Sequence, residues 1–130
     1  KHDTISADQT HIAIGNYAPA ILYDESADHF SIYIGGAHHH IDGIIVEANK
    51  WYHLAWVHND TIGKIGVFVN GTFAQEWTES VNISDQRYRI GRDGSGSAKY
   101  MNGTISNMRV VKGQALYSNS FTPETAKLQG

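Results

Sequence analysis

The stretch His38-His39-His40, with Asp42 close behind, is the densest cluster of metal-capable side chains in the chain. Neutral imidazoles and a carboxylate are ordinary ligands for zinc or nickel. Consecutive residues of a strand point to opposite faces, so three in a row cannot converge on one ion unless a loop turns two of them together. Flanked by Gly35-Gly36 and Gly43, the run reads as a hairpin tip with solvated imidazoles whose charge responds to pH at roughly 6 to 7. A surface ligand site here would use His38, His39, His40 and Asp42.

Other residue types offer weaker chemistry. Asp60, Asp93, Ser95 and Ser97 carry oxygens of the kind that hold calcium, although Asp and Ser in such loops ordinarily serve turn geometry. Trp77, Tyr88 and Tyr100 lie near turn-rich segments, where an exposed ring can stack on the apolar face of a sugar while polar neighbours bind its hydroxyls. Trp51 and Trp56 are separated by an odd number of positions; on a strand they face opposite ways, and at least one belongs to the core. There is no cysteine, hence no thiol nucleophile, thiolate metal site or disulfide, and no G-x-S-x-G elbow. The Asn-x-Ser/Thr sequons at Asn59, Asn70, Asn82 and Asn102 suit a glycosylated secreted protein, but Asn70 and Asn102 also precede glycines, where turn geometry explains them.

The elements that must position these residues are strands. Phe30, Ile32 and Ile34 alternate with Ser31 and Tyr33, and Ile65, Val67 and Val69 alternate with Gly66 and Phe68. Further strands are expected at Ile12–Ile14, Ala20–Tyr23, Ile44–Glu47, Trp51–His58, Phe73–Trp77, Arg87–Gly91 and Thr104–Val111, about nine in all, at the spacing of sandwiches and barrels. Asn70-Gly71 between two alternating runs predicts a two-residue type I′ hairpin. Only Gln114–Tyr117 could form a helical turn.

The 130 residues suit one domain, with 41% hydrophobic residues, 18% charged residues and a formal net charge of −3. That balance lacks the basic footprint of a nucleic-acid binder. No window has the length of apolar residues that a membrane span needs, and no signal-peptide pattern is present. The chain starts at Lys1 in a polar stretch, which reads as a processing point or as the edge of a longer polypeptide.

The segments W-Y-H-L-A-W-V-H at Trp51–His58, I-G-V-F-V-N-G-T at Ile65–Thr72, Y-R-I-G-R-D at Tyr88–Asp93 and M-N-G-T-I-S-N-M-R-V-V-K-G-Q-A-L-Y at Met101–Tyr117 follow in a recognisable order. Together they resemble the laminin-G-like branch of the concanavalin A-like lectin and glucanase superfamily, in the manner of versions common in bacteriophage and virion proteins. There a strand of the type G-x-I-x-x-V-R-I is followed by K-G-x-A-x-Y and F-T-P-P-T. The corresponding residues are Gly103, Ile105, Met108, Arg109, Val110, Lys112, Gly113, Ala115, Tyr117, Phe121, Thr122 and Pro123.

The resemblance implies an all-β, antiparallel two-sheet jelly-roll sandwich that binds glycans or proteins. It also suggests calcium on the rim, with Asp60 and Asp93 the nearest candidates, and a place on the exterior of a virion or cell. Its glucanase branch cleaves glycosides with carboxylates arranged E-x-D-x-x-E; that string is missing, and Glu76 and Glu79, three apart, face opposite sides of a strand. The expectation is therefore a non-enzymatic recognition module for carbohydrate or glycoprotein, without nucleic acid or membrane insertion. The alternative is a structural decoration or fibre domain packed against neighbouring subunits. Nothing in Lys1–Gly15 matches the family's early F-T-I-E-x-W-V strand, so the first strands are divergent, absent or supplied by a neighbour.

Overall fold

A computed structural model describes residues 1–15, 19–79, 87–95 and 99–124. The strands are β1 (Gln9–Ile14), β2 (Ala20–Asp24), β3 (His29–Ile34), β4 (Ala37–His40), β5 (Leu54–Asn59), β6 (Lys64–Val69), β7 (Thr72–Thr78) and β8 (Tyr88–Ile90). They form a five-stranded sheet, β4-β3-β2-β1-β8, and a three-stranded sheet, β5-β6-β7; every pairing is antiparallel. The chain is all-β, as its alternation pattern predicts, and forms the antiparallel two-sheet jelly-roll sandwich that the resemblance implies. No helix occurs among the described residues, Gln114–Tyr117 included.

Local chemistry sets the hairpins. Asn70 (φ 52°) and Gly71 (φ 79°) both adopt the positive φ that a type I′ turn requires. Gly71 is doubly constrained, because a Cβ there would stand 2.0 Å from the Phe121 carbonyl oxygen. The β3–β4 turn is made by Gly35 and Gly36 themselves, at φ 61° and 84°. The histidine run is therefore not the hairpin tip: His38, His39 and His40 lie within β4, half-buried, and pair with Tyr33, Ile32 and Ser31.

Between the sheets, Phe30, Ile32 and Ile34 of β3 meet Ile65, Val67 and Val69 of β6, with Tyr23, Ile41 and Val46 completing the buried cluster. Each such side chain contributes about 1.5–3 kcal/mol when removed from water. A second aromatic group covers the other face of β6: Phe68, 2% exposed, is ringed by Phe73, Tyr117 and Phe121 at centroid distances of 5.5, 6.1 and 5.6 Å. Tyr117 and Phe121 stack on each other at 3.7 Å. The C-terminal tail is thus pinned back on the body, aided by the Phe121 N–H donating to the Gly71 carbonyl at 2.8 Å.

Two expected strands do not form. Ile44–Glu47 does bury Val46 and expose Ile45, but its backbone is served by a side chain: the Glu47 N–H donates to the Tyr52 hydroxyl at 3.0 Å, and that hydroxyl donates to the Ile45 carbonyl at 3.2 Å. Thr104–Val111 is interrupted at Asn107, whose φ of 52° reverses the extended path and leaves Ile105, Met108, Val110 and Val111 exposed. The segment runs as a strap held at both ends. At its start, Thr104 N–H donates to the Lys1 carbonyl at 2.8 Å and His2 forms a bridge with Gly103; its far end is the Phe121 anchor. The strand expected over Trp51–His58 begins only at Leu54.

Candidate functional site

The two sheets are unequal, and the candidate site follows from that. The buried cluster between them contains no residue of β1 or β8, so among the described residues the inner face at that side of the larger sheet has no opposing strand. Tyr88 and Ile90, whose partners across the ladder are Ile14 and Ile12, remain 43% and 52% exposed. At the opposite flank the sandwich is shut by side chains, with His39 of β4 against Trp77 of β7 at 5.4 Å between ring centroids. On the open flank lies a cleft of about 970 Å³, bounded by β1, β5, Tyr88 and the strap.

A bulge shapes its floor. Register shifts between Thr10, opposite Leu22, and Ile12, opposite Ile21, so His11 is the extra residue, and both His11 and Ile12 line the cleft. His2 Nε2 and His11 Nε2 are 2.7 Å apart. The neighbours assign the protons. Gln9 donates through Nε2 to the Thr4 carbonyl at 2.6 Å, and its Oε1 accepts the Asn102 N–H at 2.8 Å. The same Oε1 must therefore accept from His2 Nδ1 at 2.9 Å. His2 Nε2 is then the acceptor and His11 Nε2 the donor, which leaves His11 Nδ1 as a buried acceptor with no partner. Burial first, then the proximity of His2, pushes the His11 pKa down to about 3. Burial likewise lowers the pKa of His2 and His53, so these two and His11 favour the neutral form at pH 7.

The walls carry rings and nitrogen atoms. Trp51, 55% exposed, sits just before β5; Trp56 faces inward and packs against the core. His53 Nδ1, Trp56 Nε1 and His58 Nε2 are shielded from solvent and have no hydrogen-bond partner. Leaving such groups unpaired costs about 1–3 kcal/mol each. A ligand or water that satisfied them would require side-chain rotation towards the cleft.

The residues picked out by sequence fall in three separate places. His38 and His40 share the outer face of β4, stacked at 6.1 Å, with His38 Nδ1 3.4 Å from Asp24 and 3.3 Å from the Ser31 hydroxyl. Burial lowers the His38 pKa despite the opposing pull of Asp24. His39 points to the other face, near Glu79 at 3.4 Å, and Asp42 donates its N–H to Gln75 at 3.2 Å. Among the described residues, no group of three or more His, Asp or Glu is placed to hold a metal ion.

Asp93 is buried, and its Oδ1 accepts from the Ser95 N–H at 2.9 Å and the Ser95 hydroxyl at 2.6 Å. Tyr100 lies under the Arg92 guanidinium at 5.2 Å. Asp60 belongs to the β5–β6 turn, in the other sheet from β8, which Asp93 follows. Ser97 and Asn82 lie outside the described residues. Only Tyr88 of the predicted set reaches the cleft. His2, His11, His53 and His58 were missed; the polar imidazoles within the apolar run at 51–58 were the available signal.

The antiparallel two-sheet sandwich agrees with a concanavalin A-like fold. The chain belongs to the Concanavalin A-like lectin/glucanases superfamily: residues 2–119 match its third laminin-G-type family model. Among solved structures, the chain is similar to a "putative carbohydrate binding protein" from Bacteroides ovatus, with a TM-score of 0.68 and 19% identity over 82% of this chain. It spans 33% of that protein's length. No curated protein matches the chain at a significant level.

Proposed function

We propose that the protein is a non-enzymatic recognition module that binds surface glycans or glycoproteins in the cleft between β1, β5 and the strap. The observation that carries this reading is the cleft itself, which presents the exposed rings of Trp51 and Tyr88, with the unpaired nitrogens of His53, Trp56 and His58 buried in its walls. Aromatic faces stack on the apolar side of a sugar, and hydroxyls satisfy donors and acceptors alike. The carbohydrate-binding description of the Bacteroides ovatus protein supports it. Display on a virion or cell exterior is part of the proposal and rests on the resemblance of the strap sequence to virion-type domains. A glycan array followed by calorimetry, with and without calcium, tests it; the expected result is saturable binding that Trp51→Ala weakens, and uniform absence of binding would refute it.

A second reading is favoured by β5 and β8 standing last in their sheets among the described strands and by the exposed apolar residues Ile90, Val110 and Leu116. Unpaired edges invite strand addition, so the domain would be an assembly module for neighbouring subunits. Light scattering separates the two, since a strictly monomeric domain at high concentration removes this alternative.

A further inference from the structure

The formal net charge of the chain is −3, yet the cleft is lined by Lys1, Arg109 and Lys112 against one carboxylate, Glu124. Arg109 and Lys112 both sit on the exposed strap. Neither appears among the ion pairs of the described residues, whereas lysines elsewhere are matched: Lys50 with Glu47, Lys64 with Glu76, and Lys99 with Asp8. His11 and His53, kept neutral at pH 7 by burial, add no charge of their own. One side of the cleft thus offers rings and the other offers two unpaired cations. A neutral sugar would use only the first.

Resting on the glycan-binding reading above, we infer that the cleft is specific for an acidic glycan, with Arg109 and Lys112 on the strap holding its carboxylate or sulfate groups while Trp51 and Tyr88 take the sugar faces. The guanidinium can grip a carboxylate or sulfate through two parallel N–H donors, and the ammonium acts as a point charge. Both cations are exposed, so the preference weakens as salt screens them.

The test uses calorimetry on the whole chain with two matched probe pairs: oligogalacturonate against its methyl ester, and a sulfated oligosaccharide against its desulfated form. Within at least one pair the acidic member is expected to bind about tenfold more tightly, and the pair that shows the difference identifies the anion. Arg109→Gln and Lys112→Gln should each erase most of that difference between the acidic and the neutral member. Since both side chains are exposed, the fold tolerates these changes. Equal or tighter binding of both neutral members overturns the acidic specificity alone and leaves glycan binding standing. Failure of all four probes, with a blank array as well, overturns both.

Discussion

His2 and His11 hold each other through Nε2 atoms 2.7 Å apart, with one proton between them. The pair joins the N-terminal segment to the β1 bulge, and through Gln9 to Asn102 at the root of the strap. An added proton has nowhere to go: on His11 it would occupy Nδ1, which is buried without an acceptor.

Acid should therefore loosen this joint. His11 is neutral in the fold, with a pKa of about 3, while the unfolded chain takes up the proton near pH 6.5. Its contribution is whole above that value and is lost progressively as pH falls towards 3. At about 1.4 kcal/mol per pH unit, the change from pH 6 to pH 4 costs roughly 2 to 3 kcal/mol. Urea melts across that range should show the slope, and His11→Phe should flatten it.

The tail anchor depends on a missing side chain. Gly71→Ala places a methyl 2.0 Å from the Phe121 carbonyl oxygen at a φ of 79° and should cost about 2 to 4 kcal/mol. Gly43→Ala is the control, with a φ of 73° but nothing within 4 Å, and should cost about 1 to 2 kcal/mol. Thermal melts of the two variants measure the difference.

Phe68 ties the tail to β6, and Phe68→Ala should destabilise by about 3 to 5 kcal/mol. Phe121→Ala removes only one of its ring partners and should instead free the strap. Limited proteolysis should then cut between residues 104 and 117 well before the sandwich itself.

Stability and recognition separate at the two tryptophans. Trp51→Ala, at a position 55% exposed, should leave the melting temperature within a degree or two while weakening ligand binding about tenfold. Trp56→Ala removes a ring that packs against the core and should lower stability by about 2 to 4 kcal/mol. Paired melts and titrations give both readouts.

Much of the sandwich was legible because its signals are local. Alternation at Phe30–Ile34 and at Ile65–Val69, and the glycine in Asn70-Gly71, act over a few residues and act alike in sequence and structure. The segment at Ile44–Glu47 alternates as a strand does, yet a tyrosine hydroxyl eight residues beyond Ile44 takes the place of a neighbouring strand. Thr104–Val111 was misjudged because one left-handed Asn107 outweighs the pattern around it. The cleft could not be read from sequence, since it arises from the mismatch between five strands and three. The His2–His11 contact depends on a bulge and on a terminal segment crossing to meet it. Placing the histidine run at a hairpin tip failed for a simpler reason, namely that Gly35 and Gly36 complete the turn before it begins.

The strap is fastened at Gly103 and Phe121, and no residue between these points belongs to the buried cluster between the sheets. Apart from Tyr117, which packs on Phe68 and Phe121, its sequence can thus drift almost independently of the scaffold. Lineages could exchange one jaw of the cleft, cations included, and acquire a new ligand preference without having to solve the folding problem again.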